Sequence, residues 1–205
     1  MAELKKKQQA AKKLNTEIEK AINAEIRASE ERNRKKAGAT GSGSTKPARS
    51  KSATAGKPEL TPEETQLSTS FSANRGKLPW PCERGLISEN YGSHTHPVLK
   101  HVTVKNNGID ILTENGATIR AVFGGKVTKV MSFQHLNKVV IIRHGEYLTV
   151  YSNLSEVHVR EGDMVKAKQS IGTIRAVEGE SRAELHFQLW KGKTILNPES
   201  WLATR

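Results

Sequence analysis

The chain has 205 residues, enough for one well-buried domain and an appendage. Its net charge of +12 is uneven: residues 1–57 hold 15 Lys/Arg against 6 Asp/Glu, and the remainder is close to balanced. A nucleic-acid-binding fold gathers Lys and Arg on its folded surface with aromatics interleaved for stacking; neither is present, so nucleic acid is excluded as a partner. The basic third reads as a solvated tail or one lying near an anionic surface. Cys82 is the single cysteine and has no internal disulfide partner. No apolar run reaches the roughly 18 residues of a membrane helix, and the residues after Met1 are polar where a signal peptide carries an apolar core. The expectation is either a cytoplasmic protein or one whose export segment lies outside these residues.

Residues 1–36 contain neither Pro nor Gly, and Leu4, Ala11 and Ile18 recur every seven positions, as do Leu14, Ala21 and Ala28. This a/d pattern predicts a coiled-coil helix fragment. Ile22 and Ile26 continue the stripe at steps of four, so the seam drifts. Residues 37–60 are rich in Gly, Ser, Thr, Ala and Lys and predict a flexible basic linker. Thr61-Pro62-Glu63-Glu64 then supplies a capping hydroxyl, a proline at the first helical position and a carboxylate at the third. A short helix over 61–76 follows, with Leu67 and Phe71 on one face and Gly76 as its stop. It is too short to stand alone in water and must dock on something.

From residue 77 onward the texture is mainly β. Short β-branched runs at Thr118–Val122, Lys126–Val130, Val139–Arg143, Tyr147–Tyr151, Glu156–Val159 and Leu185–Trp190 predict strands. Gly124-Gly125, His144-Gly145 and Glu161-Gly162-Asp163 predict tight turns with positive φ between them.

Two segments carry the chemistry: Asn106-Asn107-Gly108-Ile109-Asp110 and Glu184-Leu185-His186-Phe187. Strand alternation places Glu184 and His186 on one face and turns Leu185 and Phe187 to the core; the same parity sets Tyr151 beside Asn153. A hydrolytic zinc needs three protein ligands, an open position for water and a nearby base. An asparagine amide is a poor zinc donor beside neutral imidazole and accepts no proton near neutral pH. A carboxylate-rich metal site of Asp110, Glu184 and His186, helped by His94, His96 or His101, is the remaining metal alternative from the residues alone.

Val104–Leu112, Ala121–Lys126, Val140–Leu154, Val159–Gly172 and Leu185–Trp201 resemble the LytM or lysostaphin-type metallopeptidase domain, which would occupy residues 77–205. The resemblance implies a β-sandwich of duplicated-hybrid type. In that family the zinc ligands are the His and Asp of an H-x-G-x-D segment and the second His of H-x-H; the first His of H-x-H and one in Y-x-H-L are catalytic. Carried over by position, Asp110 and His186 are remnant ligands, Asn106 stands at the third ligand position, and Glu184 and Asn153 stand at the two catalytic positions. The expectation is therefore a pseudoenzyme with no catalytic residues, no metal and no cofactor.

With the helical segments ahead of it, the chain resembles the EnvC-type activators of murein hydrolases. Gly76–Pro81, Asn106–Asp110 and Leu185–Trp190 look closest to the versions found in Bacteroidetes. This resemblance implies a periplasmic protein that binds an N-acetylmuramoyl-L-alanine amidase and displaces the helix blocking its active site. It also implies a link from the coiled coil to a division-associated membrane complex, and possible contact with peptidoglycan. Asn106, Asp110, Asn153, Glu184, His186 and Tyr151 form the expected amidase-binding groove, and the helix from Thr61 is either a regulatory arm over it or a helix packed on the back of the domain. The alternatives are an active zinc endopeptidase and a passive peptidoglycan-binding module.

Overall fold

The computed structural model describes residues 2–39, 60–95, 103–133, 138–176 and 181–204. Two compact units divide at Glu63/Glu64. In the first, α1 (Ala2–Ala39) is one uninterrupted helix. Ile18, Ile22 and Ile26 are its buried apolar residues, at the four-residue steps that make the stripe drift from a heptad seam; Leu14, Ala21 and Ala28 are half-buried. Leu4 and Ala11 of the predicted seam, and the linker from residue 40 to 59, lie outside the residues whose side chains or backbone are described.

The second unit begins within α2 (Pro62–Ala73) and continues as β1 (Leu86–Glu89), β2 (Gly92–Thr95), β3 (Thr103–Asn106), β4 (Ile109–Glu114), β5 (Thr118–Arg120) and β6 (Gly125–Ser132). Then come β7 (Lys138–His144), β8 (Tyr147–Val157), β9 (Met164–Val165), β10 (Ser170–Ile174), β11 (Arg182–Lys191), β12 (Thr194–Leu196) and a 3-10 turn at Pro198–Ser200. The main sheet runs β1-β4-β11-β8-β7-β6-β9; β10 pairs with both β8 and β5, which carries the sheet over its own inner face. Inside that fold-over lies the core, built from Ile109 and Ile111 of β4, Tyr151 and Leu154 of β8, Leu185, Phe187 and Leu189 of β11, and Ile171 and Ile174 of β10. The mainly β architecture expected from the sequence is the one observed.

Two differences from the sequence reading have physical causes. Tyr147–Tyr151 and Glu156–Val159 are not separate strands, because β8 runs from Tyr147 to Val157 through a bulge. The register of β7 on β8 slips by one residue between Val140↔Tyr151 and Lys138↔Leu154, and Asn153 sits in the slip with φ 69°. There β8 ends its pairing with β11 and takes up β10. Asparagine tolerates this left-handed conformation better than most residues. Gly125, expected at a positive-φ turn, instead opens β6; a Cβ there would lie 2.3 Å from the Arg143 carbonyl oxygen.

The helix considered as an arm packs into the core. Phe71 is fully buried, stacked 4.7 Å from Tyr147 and 4.9 Å from His144, with Phe123 and Trp201 closing the cluster. A phenylalanine so buried is worth about 3–5 kcal/mol against alanine. The Ser68 hydroxyl accepts the Glu146 N–H at 2.6 Å. Gly145, at φ 73°, permits this approach, since a Cβ there would meet Ser68 Oγ and the Glu64 carbonyl oxygen within 2.3 Å. α2 thus sits on the same side of the sheet as Phe187 and Tyr151, away from the face that carries His186. Of the two placements the sequence left open, its contacts here are those of a helix packed on the domain.

His144 is enclosed in this cluster, bonded to the Gly124 carbonyl through Nδ1 at 2.7 Å and to the Thr149 hydroxyl through Nε2 at 2.9 Å. Burial lowers its pKa from the ordinary 6.5 to about 4, against the opposing pull of the Gly124 bond. The unfolded chain therefore takes up this proton first as pH falls. The stabilising contribution is complete above pH 6.5, declines towards about pH 4 and is gone below it. Its size is about 3 kcal/mol. In urea unfolding followed between about pH 7 and about pH 4, His144→Gln is expected to lose less stability on acidification than the parent chain.

Candidate functional site

The register of β11 assembles the site. His186 lies directly opposite Asp110 on β4 and Ser152 on β8, while its neighbours Leu185 and Phe187 point to the core as the alternation predicts. His186 Nδ1 and Asp110 Oδ1 are 2.6 Å apart. The other Asp110 oxygen accepts the Asn106 amide at 3.0 Å, and the Asn106 carbonyl oxygen accepts the Gly108 N–H at 3.0 Å. That turn passes so close to β11 that a Cβ on Gly108 would lie 2.3 Å from the Phe187 carbonyl oxygen. Glycine is required there by contact, not by φ.

On the far side of the ring, Gln188 Nε2 is 2.8 Å from His186 Nε2, and Trp190 Nε1 donates to Gln188 Oε1 at 3.0 Å. An indole N–H only donates, so it fixes the Gln188 carbonyl towards itself and turns the amide NH2 to the imidazole. His186 Nε2 is then the acceptor, and the ring proton sits on Nδ1, facing Asp110. A continuous chain of hydrogen bonds runs Trp190–Gln188–His186–Asp110–Asn106–Gly108. Gln188 and Trp190 were not singled out in the sequence, although they share parity with His186 and so share its face.

Glu184 and Asn153 stand at the rim. The Ser88 hydroxyl donates to Glu184 Oε1 at 2.8 Å, and the Asn153 amide donates to the Glu184 carbonyl oxygen at 3.2 Å. Asn153 bridges the place where the β8–β11 ladder stops, a structural task for this residue that follows from the bulge. Loss of solvent raises the Glu184 carboxyl above its ordinary 4.5; Ser88 opposes this shift, and Asp110 and Glu89 reinforce it. Tyr151 is not in the groove. The bulge breaks the parity that placed it beside Asn153: it is fully buried in the core, its hydroxyl accepts the Val122 N–H at 3.0 Å, and burial pushes its pKa to about 12.

The donor set does not fit a hydrolytic zinc. Of the three ligand positions, one presents an amide nitrogen, which is no metal donor, and both imidazole nitrogens are engaged. Among the described residues, no three His, Cys, Asp or Glu side chains come together as a metal cluster, so Glu184 does not complete one with Asp110 and His186. His96 and His101, and the side chain of His94, lie outside the described residues.

Residues 104–198 match the sequence profile of peptidase family M23, and the β domain is an M23, or LytM-type, fold. The murein hydrolase activator NlpD of Salmonella typhimurium is 34% identical to the chain over 148 residues, which is 71% of this chain and 36% of that protein. The murein hydrolase activator EnvC of Escherichia coli K12 is 27% identical over 133 residues, 64% of this chain and 30% of that one. The catalytic domain of the prophage-encoded M23 protein EnpA from Enterococcus faecalis, solved as a mutant, superposes with a TM-score of 0.50 at 26% identity, covering 60% of this chain and 96% of that domain. The chain spans about a third of the length of the curated relatives it matches.

Asn106→His places a third imidazole or carboxylate donor beside Asp110 and His186. The variant is expected to retain about one zinc per chain after dialysis, with the parent retaining far less, as read by elemental analysis and zinc titration.

Proposed function

We propose that this chain is a non-catalytic, periplasmic activator of an N-acetylmuramoyl-L-alanine amidase, of the EnvC type and acting in division and daughter-cell separation. The observation that carries the reading is the continuous hydrogen-bond chain through His186. Each group that stands at a ligand position is hydrogen-bonded to a protein neighbour, and the two positions for proton transfer hold Glu184 and Asn153. The names of the relatives support it, since both NlpD and EnvC are called murein hydrolase activators.

The face that carries His186 suits docking better than chemistry. Cross-strand register puts Gln188, Val150 and Ile141 in one row and Trp190, Leu148 and Arg143 in the next, all on the face opposite the core. These rows form an apolar layer continuous with the polar chain, and its rim at Glu184, Asn153 and His186 is the accessible part, able to meet a segment of another protein. Val150, Ile141, Leu148 and Trp190 are themselves buried, so contact is made at the rim. Activation then requires that the domain bind the open amidase better than the blocked one; a preference of about 3 kcal/mol shifts the population by more than a hundredfold. The helix of residues 2–39 is the proposed connection to a division-associated membrane complex.

Amidase activity on peptidoglycan, measured with and without the full chain, is expected to rise at least about tenfold when it is added, and Glu184→Lys is expected to remove most of that rise without changing the melting temperature. The chain alone is expected to release no soluble muropeptides. Stoichiometric zinc together with unaided release would instead establish an endopeptidase, and retention on sacculi with no stimulation would establish a passive wall-binding module.

A further inference from the structure

β5 and β10 form the part of the sheet that folds over the core. Residues 81–84 run beside β5: the Arg120 N–H donates to the Pro81 carbonyl at 2.8 Å, and Cys82 bridges Ile119 in antiparallel sense. Ile119 and Cys82 are both fully buried, so alternation along the strand turns Thr118 and Arg120 outward, and Ser170 of β10 lies directly across from Arg120. These three residues line a groove of about 480 Å³ together with Lys168, Glu83 and the Arg84–Glu114 pair. The volume falls within the range of small-ligand sites. None of the residues of the His186 site lines it.

Two cations of the groove are held in place by the backbone. Lys168 has φ 64°, one of two non-glycine residues with positive φ among the described residues; the other is Asn153, at the rim of the candidate site. Glycine adopts that conformation freely and lysine only against steric resistance, and such strain collects at ligand clamps. The Lys168 N–H donates to the Ala121 carbonyl at 2.8 Å and the Ala121 N–H donates to the Gln169 carbonyl at 2.9 Å, which clasps the turn to the end of β5. Arg120 is half-buried, and its Nε donates to the Trp80 carbonyl at 3.1 Å, so the guanidinium is fixed and its Nη groups serve the groove. Neither Lys168 nor Arg120 has a carboxylate partner among the described residues. Carboxylates mark the remainder of the groove: Glu83 follows Cys82, and Glu114 lies 3.4 Å from Arg84. They repel a ligand that is anionic along its whole length and accept one with a single carboxylate and a neutral or cationic body.

We propose that this groove binds the terminal carboxylate of a short wall peptide, held by the Nη groups of Arg120, the Lys168 ammonium and the hydroxyls of Thr118 and Ser170. The guanidinium presents a planar fork to two carboxylate oxygens, and the ammonium adds a point charge beside it. The Ser170 hydroxyl meets His158 Nδ1 at 3.2 Å and still has bonding capacity for the ligand. The wall as the source of the peptide rests on the proposed function; recognition of a carboxylate does not. Wall peptides carry free carboxylates and amino groups, which match the two kinds of charge in the groove. An activator that holds such a peptide keeps its amidase beside the bonds that join peptide to glycan.

The full chain is titrated with a trialanine peptide and, separately, with its C-terminal amide, and the backbone amides of the protein are followed by NMR. Shifts centred on residues 118–121 and 168–170 are expected for the free carboxylate, with affinity at least about tenfold lower for the amide. Arg120→Gln and Lys168→Gly are each expected to lower the affinity about tenfold. Lys168→Gly sets a glycine at a φ that suits it, so its melting temperature is expected to be no lower than the parent's, which separates loss of the ammonium from loss of the fold. Equal binding of the amide, an equal response to inorganic phosphate, or normal binding by both variants would overturn the carboxylate site. Soluble muropeptides are expected to shift the same amides; shifts produced by purified amidase and not by muropeptides would overturn the wall as the source. Amidase stimulation by the parent chain is read in parallel: its absence removes the activator reading and leaves a site that binds trialanine standing.

Discussion

The pairing register of β11 between β4 and β8 is the constraint on which the rest depends. One setting of that strand turns Leu185, Phe187 and Leu189 into the core and simultaneously brings His186 opposite Asp110. A slip of one residue would turn the imidazole into the core and three large apolar side chains out of it, an exchange too costly to compete. The site is therefore held in place by the hydrophobic core behind it.

Given that register, a line of polar groups has to satisfy itself on the outer face, and it does so one bond at a time. Trp190 can only donate, which orients Gln188, which makes His186 Nε2 an acceptor and leaves the ring proton for Asp110. Asn106 completes the Asp110 carboxylate from the other side. In a metallopeptidase of this fold a cation would draw the same carboxylate and imidazole together. Here the Nδ1 proton joins them, and the Asn106 and Gln188 amides flank the pair. Asp110 and His186 are thus held side by side by hydrogen bonds within the protein.

The two ends of the domain are fixed differently. At the β7–β8 turn, Gly145 lets α2 approach and the Phe71 cluster encloses His144, so the helix is part of the domain's packing. At the other end the strand order stops at β1, where Leu86 is exposed. Burial of Phe71 and His144 thus anchors the first of these two margins.

By itself the sequence determined that the second part of the chain is mainly β, that a short helix with Phe71 on its apolar face must dock, and that Asp110 and His186 stand without an imidazole at position 106. Composition, alternation and residue identity are local properties, and they are enough for those conclusions. Only the tertiary structure decided that Tyr151 belongs to the core and Asn153 to the rim, because one inserted residue in β8 reverses the parity on which the strand reading relied. It also decided that Gln188 and Trp190 belong to the site and that α2 packs on the opposite side from it. Those facts depend on which strands lie beside one another, and pairing between segments some seventy positions apart leaves no mark on the local pattern of either.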